Sequence, residues 1–234
     1  MLNRYIVIMA GGKGERFWPE SRKKLPKHFL PIVGNKPMLI QTIERVSKII
    51  PIDNIIIVTN LAQYNFVVKL CPMIKKENII SEPFGRNTTA VVTFASFFIK
   101  NKDPNASFCI LPSDHYIEDI NNFKQTIINS FVLAESNDFL ITIGVKPNYP
   151  SISYGYIKKG NKFITKNNIP YYLVDEFVEK PFYEKAKEYL FSQKYFWNTN
   201  LSEYFFSLKP IKHIYSFDES SLYKSLYSYS LIKE

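Results

Sequence analysis

Apolar positions in the first two thirds of the chain follow two alternating patterns. Short unbroken runs rich in Ile and Val, bounded by Gly, Pro or Asn, read as buried strands. They cover Arg4–Met9, Asn54–Thr59, Asn78–Ser81, Ser107–Leu111 and Phe139–Gly144. Between them apolar residues recur at helical spacing. Leu39, Ile43, Val46 and Ile50 predict a helix over Met38–Ile50, and further helices are expected at Leu61–Leu70, from an Asn87 cap to about Ile99, and at Ile120–Glu135. Strand–helix alternation of this kind argues for an α/β fold, a largely parallel sheet with helices on both faces.

Two regions depart from the alternation. Ala10–Pro37 has no sustained helical period and carries Gly and Pro at turn positions. That predicts a long loop, and long loops in compact domains are usually functional or disordered. After Pro147, Tyr154–Lys158 and Tyr171–Val178 read as strands around a polar turn, Phe182–Phe191 as a helix and Tyr195–Trp197 as a short strand. The aromatic, Ser- and Lys-rich tail Leu201–Glu234 is expected to be helical. Neither an internal repeat nor a linker is visible, so residues 1–234 are expected to form a single domain.

Composition narrows the class without naming a function. At 46% hydrophobic, the 234-residue chain can bury a real core. No apolar run approaches the roughly 20 residues that span a bilayer, and the N-terminal run is too short for a signal-peptide core. A cytoplasmic location is expected. Cys71 and Cys109 lie in buried-looking segments with no partner at metal-ligand spacing and are expected to be free thiols. The net charge of +9 invites a polyanion. The basic residues are nevertheless dispersed, and no nucleic-acid-binding motif accompanies them, so no nucleic-acid partner is expected.

The densest basic cluster sits in the long loop, directly after the first strand: MAGGKGERFWPESRKKLPKHFLP, residues 9–31. A dinucleotide fingerprint fails there, because position 17 is Phe where a third Gly is needed, and the P-loop spacing fails as well. The combination is still suited to phosphate. Gly11 and Gly12 let backbone N–H groups approach an anion, Arg16 offers a planar fork for phosphate oxygens, and Lys27 is a point charge held after Pro26. Lys13, Lys23 and Lys24 read as solvated surface lysines.

With the segments downstream, this loop resembles the sugar-nucleotide pyrophosphorylases. Gly11-Gly12-Lys13-Gly14-Glu15-Arg16, Trp18-Pro19-x-Ser21-Arg22 and Pro26-Lys27-His28-Phe29-Leu30 follow that family's signature, and the Trp-Pro-x-Ser-Arg extension is similar to its mannose-1-phosphate guanylyltransferase branch. In order downstream come Glu82-Pro83-Phe84-Gly85-Arg86-Asn87-Thr88, Leu111-Pro112-Ser113-Asp114-His115, Tyr154-Gly155-Tyr156-Ile157 and Phe177-Val178-Glu179-Lys180-Pro181. The resemblance spans the chain to about Trp197.

It implies a Rossmann-like, GT-A-like nucleotidyltransferase fold with a central, mostly parallel mixed sheet flanked by helices. It implies synthesis of GDP-mannose and pyrophosphate from GTP and mannose 1-phosphate, with Mg²⁺ as cofactor and no covalent enzyme intermediate. Arg16, Lys27 and Asp114 are the implied catalytic residues, with Asp114 also the metal ligand. Gly11, Gly12, Gly14, Glu82, Arg86, Asn87 and Ser113 would bind the nucleotide. Tyr154, Gly155, Glu179, Lys180 and Asn198 would bind the sugar phosphate. Read without the resemblance, Asp114 is a turn or N-cap residue and Glu82–Arg86 a surface ion pair. Implied partners are GTP and mannose 1-phosphate, with a homodimer as the candidate assembly, and the lack of a long apolar run adds the expectation of no membrane partner.

Three positions depart from the family pattern. His28 stands where Gln is usual, and Trp197-Asn198-Thr199-Asn200 stands where Trp-Asn-Ser-Gly is usual. Asp218 does not match the segment carrying the family's second metal-binding Asp, so one metal ligand is carried over and no C-terminal β-helical region is expected. The alternative function is therefore a catalytically impaired or regulatory nucleotide-sugar-binding relative, or one completed by a partner chain.

Overall fold

The computed structural model describes residues 3–11, 26–82, 87–137, 139–198, 204–207 and 230–233. Its contacts divide the chain into two compact units, Met1–Ile128 and Asn129–Glu234.

In the first unit β1 (Arg4–Met9), β2 (Ile55–Asn60), β3 (Ile79–Glu82) and β4 (Ser107–Pro112) form a parallel array in the order β3-β2-β1-β4. Ile6, Val7, Ile8, Ile55, Ile56, Ile57, Phe108, Cys109 and Ile110 are all fully buried. A parallel sheet covered on both faces has no polar side, which is why these strands read as unbroken apolar runs. Helices α1 (Met38–Val46), α2 (Tyr64–Leu70), α3 (Asn87–Lys102) and α4 (Ile120–Asn137) follow the expected places. Helix α1 ends earlier than its apolar period suggests, since Pro51 closes the segment and disfavours helix just before it. The register sets Met9 opposite both Val58 and Pro112, and Asn60 opposite Glu82, so the C-terminal ends of the strands share one edge.

The second unit carries β5 (Leu140–Ile143), β6 (Gly155–Lys166), β7 (Ile169–Val178), helix α5 (Tyr183–Ser192), β8 (Tyr195–Asn198), β9 (Tyr204–Ser207) and β10 (Ser230–Lys233). Its strand order is β9-β5-β10-β7-β6-β8, with β10 parallel to β5 and the other pairings antiparallel. The β6–β7 hairpin is much longer than the two expected strands. Its turn residues Asn167 and Asn168 have φ of 50° and 62°. Two consecutive left-handed residues suit the tight hairpin turn whose twist matches the strands, and Asn tolerates that backbone. The strands then extend through polar, exposed positions that hid them in the hydrophobic pattern.

The tail corrects a second expectation. Its described residues, β9 and β10, are strands rather than helices. Both find backbone ladders already present, β9 on β5 and β10 on β5 and β7, and those hydrogen bonds override the helical reading of a polar, aromatic sequence. Cys71 and Cys109 are buried free thiols, as expected, and burial pushes the Cys71 thiol up to about 12. No described helix is long and apolar enough to cross a membrane.

Candidate active site

The glycine-rich loop leaves β1 under firm control. Ala10 N–H donates to Val58 O (2.8 Å), Thr59 Oγ1 donates to Ala10 O (2.8 Å) and Asn60 Nδ2 donates to Gly11 O (2.9 Å). The far end of the loop hangs on the same turn. Gln63 N–H donates to Asn60 Oδ1 (3.0 Å), and Gln63 Oε1 accepts from buried His28 Nε2 (3.1 Å). His28 packs edge-on against Phe29 (4.1 Å), which meets Phe66 (4.4 Å). Burial pushes the imidazole down to about 4, so His28 is neutral at pH 7. Its place as a hydrogen-bonded anchor explains how a ring can occupy the position where the motif favours Gln.

This anchoring aims Lys27. The residue opens a short 3-10 turn, Lys27–Phe29, set by buried Pro26. Its Nζ pairs with Asp114 Oδ2. The two side chains are only 22% and 10% exposed. Asp114 lies two residues past β4, where open α/β sheets place ligands. The preceding Ser113 donates its N–H to Met9 O (3.1 Å), and its carbonyl accepts from Thr42 Oγ1 (3.2 Å). Asp114 is thus a turn residue, as expected without the resemblance, but one whose carboxylate is ion-paired and largely buried just past the strand end. Burial also pushes His115 down to about 4, leaving it neutral at pH 7.

Glu82 ends β3 and is buried, and its Oε1 has no hydrogen-bond partner. Burial raises its pKa. The carboxyl is held out of water at the end of β3, and the Arg86 of the expected ion pair lies outside the described residues. Gly12, Gly14, Arg16, Arg86 and Asp218 lie outside the described residues, and Asn87 is described only as the first residue of α3.

In the second unit the residues expected on the sugar side converge. Gly155 opens β6 opposite Asn198 of β8, and Tyr156 pairs with Val178 of β7. A Cβ on Gly155 would stand 3.2 Å from Val178 O, 3.4 Å from Glu179 Oε2 and 3.5 Å from Asn198 Cβ, so any side chain there would press on its neighbours. Tyr154 packs on Trp197 at 5.3 Å. Lys180 has φ 29° and pairs with Glu179 Oε1 at 2.9 Å, with side chains 44% and 67% exposed. A lysine in left-handed backbone is the kind of local strain that clusters at ligand sites.

Sequence reasoning missed Asn60, Gln63, Thr42 and Arg45, which touch the site's loops without belonging to its motifs. Asn60 had one usable signal, a polar side chain at the C-terminal end of an apolar strand.

The sequence pattern of the nucleotidyl transferase family matches residues 5–227. The chain belongs to the nucleotidyl transferase family. Relatives include mannose-1-phosphate guanylyltransferase of Escherichia coli, 35% identical over 209 residues, covering 87% of this chain and 44% of that protein. The enzyme of the same name from Salmonella montevideo is 39% identical over 200 residues, 83% of this chain and 41% of that protein. The chain therefore spans less than half the length of these relatives. Among solved structures, one described as mannose-1-phosphate geranyltransferase from Thermus thermophilus superposes with a TM-score of 0.81 at 29% identity, over 96% of this chain and 63% of that one. A nucleotidyl transferase has to manage phosphate charge, and the Lys27–Asp114 pair at the sheet edge is suited to that work.

The donor set also bears on a metal. Among the described residues no three His, Cys, Asp or Glu side chains cluster as a metal cage. A lone strand-end carboxylate fits a hard cation that takes its remaining ligands from substrate phosphates and water, which is how Mg²⁺ is usually held.

Proposed function

We propose that this chain carries the nucleotidyl-transfer chemistry of a mannose-1-phosphate guanylyltransferase, as a single catalytic domain. A phosphate oxygen of mannose 1-phosphate attacks the α-phosphorus of GTP, the bond to the β-phosphate oxygen breaks, and pyrophosphate leaves with GDP-mannose as product. The observation that carries this reading is the buried pairing of Lys27 with Asp114 at the end of β4, in a chain 35–39% identical to enzymes of that name.

The residues divide the work by charge. The Gly11, Gly12 and Gly14 backbone follows the triphosphate and Arg16 takes its terminal phosphates. Lys27 stabilises negative charge gathering at the α-phosphate, and Asp114 holds Mg²⁺. Bound Mg²⁺ supplies neutralisation of phosphate charge. Glu82, Arg86, Asn87 and Ser113 are assigned to nucleotide binding from the family's motif order. Lys180 neutralises the sugar phosphate, Glu179 accepts from sugar hydroxyls, and Tyr154, Gly155 and Asn198 shape the sugar's place. Catalysis then consists of positioning and charge stabilisation, with no enzyme nucleophile.

The test is pyrophosphate release by the purified chain with Mg²⁺, GTP and mannose 1-phosphate, with UTP and glucose 1-phosphate as competitors and Asp114→Asn as control. Turnover that prefers the first pair and disappears in the control supports the reading. Equal turnover in the control, or preference for another pair, overturns it.

A further inference from the structure

Helix α1 grips the segment that carries Asp114. Thr42 is fully buried on that helix, and its Oγ1 donates to Ser113 O at 3.2 Å. One nitrogen of Arg45, a turn further on, uses both its hydrogens. Arg45 Nη2 donates to Thr42 Oγ1 at 3.0 Å and to His115 O at 3.2 Å. Its guanidinium lies over the Phe123 ring at 5.3 Å, which fixes the plane of the fork. The Ser113 N–H is already held by Met9 O. The residues on either side of Asp114 are therefore held, Ser113 by β1 and α1 and His115 by α1 through its carbonyl, while the Asp114 carboxylate reaches out to Lys27.

We infer that Thr42 and Arg45 are positioning residues that fix the carboxylate of Asp114 through the carbonyls of Ser113 and His115. The inference rests on the role proposed above for Asp114. The chemistry of the two side chains favours it over a packing role. Valine would fill the Thr42 site with equal volume and no hydroxyl, and a shorter apolar chain would cover Phe123. A hydroxyl that both accepts and donates, and a partly buried cationic nitrogen that bridges it to a loop carbonyl, suit holding the loop's carbonyls and add nothing to apolar packing. A site geometry loose by an ångström loses much of its catalytic effect.

The experiment compares Thr42→Val, Thr42→Ser and Arg45→Met with the native chain. Amide hydrogen exchange of the 113–116 segment is measured alongside the Mg²⁺ dependence of pyrophosphate release. In Thr42→Val, exchange at Ser113 is expected to rise about 10-fold and the Mg²⁺ concentration for half-maximal rate about 5-fold, with the KM for mannose 1-phosphate within about 2-fold of native. Thr42→Ser, which keeps the hydroxyl, restores both. Native exchange and native Mg²⁺ dependence in Thr42→Val overturn the inference. Should Thr42→Val not fold, Arg45→Met decides by the same two readouts, since methionine keeps an apolar chain over Phe123 without the bridging donor. Absence of turnover in the native chain defeats the proposed function, and the exchange measurement then decides the clamp alone.

Discussion

Two lysine–carboxylate pairs occupy the candidate site residues, and they differ in nearly every physical respect. Lys27–Asp114 joins residues far apart in sequence and is mostly buried. Lys180–Glu179 joins exposed neighbours directly after β7. The first is surrounded by a hydrogen-bonded frame from β1, β2 and α1. The second rests on one strained residue. A buried pair is held by structure and costs much to break, because one charge is left behind without water. An exposed pair contributes little to stability and is free to exchange partners with a ligand. The contrast agrees with the roles proposed above, in which Lys27 and Asp114 serve the nucleotide phosphates and Lys180 the sugar phosphate.

The sharpest way to break the comparison is on rate. Asp114→Asn is expected to lower turnover about 10³-fold, and Glu179→Gln is expected to raise the KM for the sugar phosphate about 10-fold with little change in kcat. Equal effects on kcat from both would erase the distinction.

Acid stability is the next largest effect. His28 is held neutral by burial, with a folded value near 4 against about 6.5 unfolded. The unfolded chain therefore takes up the extra proton first, and stability present above pH 6.5 is lost as the pH falls toward 4, by roughly 3 kcal/mol. His28→Gln, which can still meet Gln63, is expected to flatten that part of the urea-melt pH profile. An unchanged profile would place the acid sensitivity elsewhere.

Removing the ammonium groups tests the pairs directly. Lys27→Ala is expected to cost about 2 kcal/mol in urea unfolding, discounted from a fully buried pair because both groups keep some solvent. Gly155→Ala should cost about 1–2 kcal/mol, since its methyl would press on the Val178 carbonyl. Lys180→Ala is expected to change stability by less than about 0.5 kcal/mol while weakening sugar-phosphate binding. A stability loss for Lys180→Ala matching that of Lys27→Ala would show that exposure does not separate the two.

Much of this was legible in the sequence, for identifiable reasons. Ile- and Val-rich runs marked the four parallel strands because strands buried on both faces must be apolar throughout. The spacing of Leu39, Ile43 and Val46 marked α1 because one helix face meets the core. The order of the glycine, Asp114 and Glu179-Lys180 blocks marked the candidate site through its resemblance to the sugar-nucleotide pyrophosphorylases, while the glycines and basic residues of the first block suited phosphate by their own chemistry. Other features depend on what the folded chain brings near. The Asn167-Asn168 turn extended two strands through polar residues, and the pairing of β10 with β5 and β7 made strand from a segment that reads as helix. Only the parallel register of β1 with β2 and β4 set Asn60 beside Gly11, Thr42 beside Ser113 and Lys27 against Asp114. Local pattern reports which side of an element is buried. Which distant side chain a residue meets is decided by sheet order and register, and that is where the site acquired its charge pair and its frame.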